Sequence, residues 1–339
     1  MKTILIISEF NLLKAGTQAL VNMVKYYTNN GFKVMLLTPR YYKQCNITVY
    51  QNDNLEIINF PTISSCYRKI GHITKFRKEN ISLSSIHDKE FKIKFPFKEK
   101  YDYIKYEYNM KVRLFKFINY YISTLIFGLI KINWKEIDLI IGYELFGGKA
   151  AKVFNFLFNK KLVLKYQGSL LYYHLFQKCY TKRYNKFRKF LIKTNADFVI
   201  MTNDGTKGNL LFKRLGFPEK HFLFVKNGYS VENVKKYEQI KESEKLNFRK
   251  SLNIKKDDFV ILSISRLDSW KRNDRIIYSI SNLLKFNRIK LIIVGMGSEL
   301  QYLKGLCKYF GIENNVIFTG AIPHKDIIYY YSISDILIQ

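Results

Sequence analysis

An arginine at the end of an apolar run, followed five residues later by a lysine, is the most chemically suggestive spacing in the chain. In Ser263-Ile264-Ser265-Arg266-Leu267-Asp268-Ser269-Trp270-Lys271-Arg272, Arg266 leaves a run that reads as a buried strand. Lys271 stands where a helix should open. Two fixed cations beside the unpaired N–H groups of a helix start suit a diphosphate. In group transfer such a pair neutralises the charge that grows on a departing nucleoside diphosphate. Alone, the spacing fits a solvated loop equally well, so its neighbours decide.

Two neighbours point the same way. Gly295-Met296-Gly297-Ser298-Glu299 follows the next apolar run and opens a helical pattern, and residues without a Cβ let a backbone approach a ligand closely. A lone Gly-x-Gly more often marks a tight turn between strand and helix. Val316-Ile317-Phe318-Thr319-Gly320-Ala321-Ile322-Pro323 then supplies a third strand ending in Gly and Pro, which places Gly320, Ala321 and Ile322 beside the same ligand space.

In this order the motifs resemble the C-terminal, nucleotide-binding domain of glycosyltransferase family 4, the retaining GT-B enzymes, over residues 259–338. Ser265-Arg266-Leu267 with Lys271 is similar to that family's G-R-L-x-x-x-K, Ser265 replacing the usual Gly. Val294-Gly295-Met296-Gly297 is similar to its V-G-x-G turn and Val316–Gly320 to its V-x-F-x-G strand. Tyr330, Ser334 and Asp335 resemble its closing Tyr and Ser-Asp. The resemblance implies that Arg266 and Lys271 hold the donor diphosphate, that Gly295 and Gly297 approach the donor, and that Gly320, Ala321 and Ile322 lie near the base. It also implies a nucleoside-diphosphate sugar as co-substrate, transfer with retention, and no metal or other cofactor.

The first half resembles the family more loosely. Gly16 stands where a Gly-containing loop after the first strand meets the donor phosphates, and Lys226-Asn227-Gly228 is similar to a P-N-G segment. Gln167 stands where relatives carry a catalytic-site His, and an amide still hydrogen-bonds a sugar hydroxyl. The family's E-x7-E would begin after Gln339. The sequence therefore looks cut at a strand end, and weak donor binding with little turnover is expected. A non-catalytic sugar-nucleotide- or glycan-binding relative is the alternative.

Other chemistries find no footing. The sequence has no Asp-x-Asp, no G-x-S-x-G and no P-loop, and its five histidines show no ligand spacing. Its four cysteines are scattered, without a C-x-x-C, which fits a reducing cytoplasm. The formal charge of +30 attracts polyanions. Its lysines are spread along the chain and no nucleic-acid reading module is present, so nucleic acid is not an expected partner.

The elements that must hold these residues are those of an α/β chain. Continuous apolar runs at Thr3–Ser8, Phe32–Thr38, Leu55–Phe60, Ile137–Ile141, Lys161–Tyr166, Asp197–Met201 and Phe222–Val225 read as buried parallel strands with helical stretches between them. A polar, charged segment at 231–257 reads as a linker. After it come strands at Phe259–Ser265, Ile289–Val294, Val316–Thr319 and Asp335–Gln339, with helices at Asn273–Phe286, Ser298–Phe310 and His324–Ser332. The expected fold is thus GT-B: an acceptor domain at 1–230 and an incomplete donor domain at 258–339, both Rossmann-like, facing a crevice.

Two further segments bear on partners. At 175–191, aromatic and aliphatic residues recur at helical spacing beside a row of Lys and Arg, with no acid between Lys178 and Lys193. That pattern suits an anionic membrane surface, or a domain helix with solvated lysines. Leu114–Ile130 is apolar but short for a span, and reads as a buried or interfacial helix. The expected setting is cytoplasmic, peripheral at the inner membrane face, with a saccharide or lipid-linked glycan as acceptor.

Overall fold

The computed structural model describes residues 1–10, 12, 18–39, 48–52, 54–62, 99–167, 182–203, 208–218, 221–226, 228, 231–286 and 288–339. The chain divides into two compact units, Met1–Asn227 and Gly228–Gln339.

The first unit contains β1 (Thr3–Ser8), α1 (Gln18–Asn29), β2 (Lys33–Pro39), β3 (Thr48–Asn52), β4 (Leu55–Phe60), α2 (Glu99–Lys131), β5 (Leu139–Tyr143), α3 (Glu144–Phe158), β6 (Lys161–Tyr166), α4 (Lys182–Ile192), β7 (Phe198–Thr202), α5 (Gly208–Arg214) and β8 (Phe222–Val225). Its sheet runs β3-β4-β2-β1-β5-β6-β7-β8. All neighbours pair in parallel except β3, which forms an antiparallel edge on β4. Every residue of β1 is buried, because helices cover a parallel sheet on both faces.

The helix α3 lies close to that sheet through small residues. Gly147, Gly148, Ala150 and Ala151 are buried, and a Cβ at Gly147 would collide with the Ile7 carbonyl. Further along the same face Phe154 and Phe158 stack on Trp134, with ring centroids 4.6 and 4.2 Å apart. The Trp134 indole N–H donates to the Gly128 carbonyl at 3.0 Å, closing the turn after α2. That long helix packs on β2, β4 and α3.

The second unit contains α6 (Val231–Glu238), α7 (Glu242–Ser251), β9 (Phe259–Ile264), α8 (Asn273–Ile280), β10 (Ile289–Val294), α9 (Leu300–Phe310), β11 (Val316–Gly320), α10 (Ile327–Ser332) and β12 (Ile336–Leu337). Its sheet order is β11-β10-β9-β12, parallel throughout.

One device recurs in both units. Asp138, Asp197 and Asp335 each stand directly before a strand, in Ile-Asp-Leu, Ala-Asp-Phe and Ser-Asp-Ile. Their carboxylates accept the backbone N–H of Thr3 (2.7 Å), Leu162 (2.8 Å) and Val260 (2.7 Å) on the neighbouring strand. Their own N–H groups donate back to the carbonyls of the same three residues, at 3.0, 3.0 and 2.9 Å. Each aspartate therefore satisfies both backbone groups of one partner residue at the amino end of the sheet.

Several expectations change. The segment 231–257, expected as a linker, contains α6 and α7. In α7, Arg249 donates to the carbonyls of Asp258 (2.9 Å) and Ile333 (2.8 Å), tying the helix to the second unit. Polar composition marked solvent exposure there and not irregular backbone. The helix expected over Asn273–Phe286 stops at Ile280, and a 3₁₀ turn follows at Leu283–Lys285. The edge strand β3 and its antiparallel pairing were not expected. The helix expected at 175–191 begins at Lys182 among the described residues.

Candidate functional site

In the second unit the loops after β9, β10 and β11 are stitched into one surface by their backbones. Ser265 N–H donates to the Val294 carbonyl (3.1 Å) and Leu267 N–H to that of Met296 (3.0 Å). Glu299 N–H donates to the Leu267 carbonyl (2.9 Å), and Gly295 N–H to that of Gly320 (2.8 Å). Such approach leaves no room for side chains. A Cβ at Gly295, where φ is +145°, would collide with the Ser265 carbonyl, and one at Gly297 with that of Leu267. The Gly-x-Gly is thus consumed by packing the β10 turn against the loop that carries Arg266. Gly320 is needed for a different reason, a φ of +75° that ends β11.

Arg266 leaves this stitched loop with its side chain 70% exposed and a guanidinium nitrogen 3.4 Å from the Asp268 carboxylate. Leu267 beside it is fully buried and pins the loop. The chain then makes a 3₁₀ turn, Ser269–Lys271, whose last residue presents an exposed lysine at the entry to α8. Arg272 turns the backbone into that helix at φ +55° and clamps Asp274 with two hydrogen bonds, 3.0 and 2.7 Å. Arg266 and Lys271 therefore belong to one short loop ending at a helix start, an arrangement able to hold an anion.

A residue that spacing did not reveal fixes this loop. Asn273, 3% exposed, donates its amide to the Ser265 hydroxyl at 3.0 Å and accepts from Ser263 at 3.4 Å. The first turn of α8 is thereby tied to the end of β9, across the segment carrying both cations. Ser265, which stands where the resembled family has Gly, supplies the hydroxyl. The signal in the sequence was a polar Asn inside an otherwise apolar helix face, with two serines on the preceding strand.

Ala321 is exposed, while Ile322 is partly buried against the core formed by Ile254, Val260, Leu262 and Tyr330. Ile322 also lines a cavity of about 570 Å³ between α7 and α10, together with Phe248 and Tyr329. Arg266 and Lys271 do not line that cavity. Asp335 is occupied by its backbone clamp and lies 3.5 Å from Arg249, whose side chain is 14% exposed.

In the first unit, Gln167 follows β6, and its backbone N–H donates to a Glu144 carboxylate oxygen at 2.6 Å. Glu144 follows β5 with φ +61°, a left-handed backbone that a glutamate adopts only at a cost. The Gln167 amide nitrogen is buried without a hydrogen bond of good geometry among the described residues, with the Tyr143 hydroxyl as its electrostatic neighbour. Lys165 donates to the Thr202 hydroxyl at 3.2 Å. Burial pulls its pKa below the ordinary lysine value, and the charge of Glu144 opposes that shift. Glu144 was not singled out by spacing, since a lone Glu after a strand forms no pattern. Gly16 lies outside the described residues. Among the described residues no group of three or more His, Cys, Asp or Glu is placed to hold a metal ion.

The two α/β units have the GT-B fold of glycosyltransferases. Residues 244–339, most of the second unit, match the family model of the glycosyl transferases group 1. Similar solved structures span nearly the whole chain. Anabaena HepE in complex with UDP and glucose is 16% identical with a TM-score of 0.60, over 99% of this chain and 73% of its own. Sucrose-phosphate synthase from Thermosynechococcus elongatus is 15% identical with a TM-score of 0.65, over 99% and 75%. WaaG, a glycosyltransferase involved in lipopolysaccharide biosynthesis, is 13% identical with a TM-score of 0.55, over 99% and 74%. No curated protein matches the sequence.

Proposed function

We propose that the protein is a retaining hexosyl- or related glycosyltransferase. It moves a sugar from a nucleoside diphosphate to a saccharide or lipid-linked glycan, in the cytoplasm, during polysaccharide or surface-glycan synthesis. The observation that carries this reading is the Arg266–Lys271 loop, held by Asn273 and by backbone bonds to the β10 turn. Cations carried on a held loop stand close to the phosphates as the sugar–phosphate bond breaks, and they stabilise the growing charge. In this reading they also replace a metal ion. Gly295 and Gly297 hold the loop in position, while Gly320, Ala321 and Ile322 form the nearby β11 end. The matched family model and the UDP and glucose named for HepE favour a sugar nucleotide as the ligand.

Gln167 is the proposed sugar contact, its buried amide serving a hydroxyl, and Gly16 the proposed phosphate contact of the first unit. A second reading, a sugar-nucleotide- or glycan-binding protein without turnover, is favoured by one observation. Position 167 is an amide, which cannot titrate near neutrality as an imidazole does.

Calorimetric titration of the full chain with UDP and with GDP tests the donor site. Binding is expected with one of them, weakened roughly tenfold or more by Arg266→Ala and by Lys271→Ala, as loss of a charge-assisted contact requires. Binding unchanged by both substitutions would reject the clamp. Slow hydrolysis of a bound sugar nucleotide would favour the enzyme, and binding with no turnover the second reading.

A further inference from the structure

The long helix α2 packs apolar residues on the sheet and still leaves an apolar row facing out. Facing the sheet it buries polar residues among aromatics: Asn119 (5% exposed), Ser123 (2%) and Thr124 (0%) with Phe117 and Tyr120. Facing out it presents Phe115, Ile118, Ile122, Ile126, Leu129 and Ile130, between 40 and 67% exposed. Steps of three and four residues align these six along one helix face, a stripe about 22 Å long at 1.5 Å per residue. A continuous apolar face of this kind marks an interaction surface, in contrast to scattered apolar residues.

Charge says what covers it. From Tyr108 to Lys135 the sequence has no acidic residue. Lys116 on α2 and Lys131 and Lys135 at its end are all exposed. On the flank, α4 packs against α2 through Phe117, whose ring centroid lies 5.7 Å from that of Phe187 and 6.3 Å from that of Phe190. Phe190 itself stays 53% exposed, beside the exposed Lys186, Lys189 and Lys193. An apolar stripe rimmed by lysines, with its nearest acids in sequence, Glu107 and Glu136, beyond its two ends, matches an anionic bilayer surface, with hydrocarbon for the stripe and headgroup phosphates for the rim.

Spanning is a different matter. Leu114–Lys131 is long and apolar enough to cross a membrane by length and composition, with a mean hydropathy of 1.2. Its inner face is packed on β2, β4 and α3, however, so lipid cannot surround it. We infer that α2 and α4 together form a docking face that lies in the surface of an anionic membrane, with Phe115, Ile118, Ile122, Ile126, Leu129 and Ile130 entering the headgroup–acyl boundary. The face stands on its own geometry and does not depend on the donor clamp.

The test is flotation of the full chain with vesicles of phosphatidylcholine alone and of phosphatidylcholine mixed with phosphatidylglycerol. Binding to the anionic vesicles only is expected, reduced by salt. Ile122→Glu with Ile126→Glu is expected to lower it roughly tenfold or more. Lys186→Ala with Lys189→Ala should lower it to a smaller extent. Both pairs are exposed, and an unchanged thermal melt checks that each variant folds. Absence of vesicle binding, or binding indifferent to both pairs, would overturn the inference. So would a dimer in light scattering that the Ile pair disperses while vesicles stay unbound, which would assign the stripe to a second copy of the chain. UDP titration of the same variants is expected to be unchanged, so failure here and failure of the donor site are read separately.

Discussion

The Glu144 carboxylate and the Gln167 backbone N–H, 2.6 Å apart, join the carboxyl ends of β5 and β6. The bond holds a glutamate at φ +61°, so it offsets a backbone strain of about 1–2 kcal/mol. Replacing Glu144 separates the two effects. Glu144→Ala keeps the strained backbone and loses the bond, and is expected to cost about 2 kcal/mol in urea unfolding. Glu144→Gly loses the bond but relieves the strain, and should cost about 1 kcal/mol less than the alanine variant. Equal losses would show that the backbone carries no strain.

Asn273 supports the loop carrying Arg266 and Lys271 from behind. Asn273→Ala removes its bonds to Ser265 and Ser263 and leaves their hydroxyls less satisfied, at a cost of about 1–2 kcal/mol. Nucleotide affinity, measured calorimetrically below the melting range, is expected to fall with it, although Asn273 is buried. A stability loss with affinity unchanged would separate the loop's order from its binding.

The glycines make opposite predictions within one domain. Gly297→Ala drives a Cβ into the Leu267 carbonyl and is expected to destabilise by about 2 kcal/mol or more. Gly305, inside α9, has open space where its Cβ would go, and Gly305→Ala should stabilise by about 0.5–1 kcal/mol. Thermal denaturation of the two variants side by side decides both.

Asp197 gives a pH signature. The Leu162 N–H, followed by the Lys161 ammonium, holds its carboxyl below the ordinary value of 3.8. The folded state therefore binds its proton less readily than the unfolded chain. The stabilisation is complete above pH 3.8 and is lost as pH falls through the lower folded value. The stability gap between the native chain and Asp197→Asn should be constant near neutrality and shrink in that acid window. A gap independent of pH would mean that the carboxylate charge plays no part.

Much of the architecture was legible because parallel strands buried on both faces leave continuous apolar runs, as in Thr3–Ser8 and Ile289–Val294. The edge strand Thr48–Asn52 was not, since Thr-Val-Tyr-Gln-Asn is short and half polar. Residue type alone singled out Arg266 and Lys271, and the structure sets both on one short loop before α8. Glu144 and Asn273 were not, because their roles lie in a positive φ and in a hydrogen bond across eight residues, neither of which a linear pattern records. The Gly-x-Gly follows β10 as the pattern implies, and its close approach is to the chain's own backbone. In α2 composition revealed an apolar helix, and only packing revealed which face it left outside.

The three aspartate clamps all grip the sheets from the amino ends of their strands. Alignment of β5 on β1, β7 on β6 and β12 on β9 is thereby counted off at the end away from Arg266, Glu144 and Gln167. The loops after β6 and β7 are therefore open to lengthening, shortening or exchange, in contrast to the stitched loops after β9 and β10. Grafting a foreign loop after β6 or β7 should leave the scaffold standing, whereas inserting one residue between Asp138 and Leu139 should not.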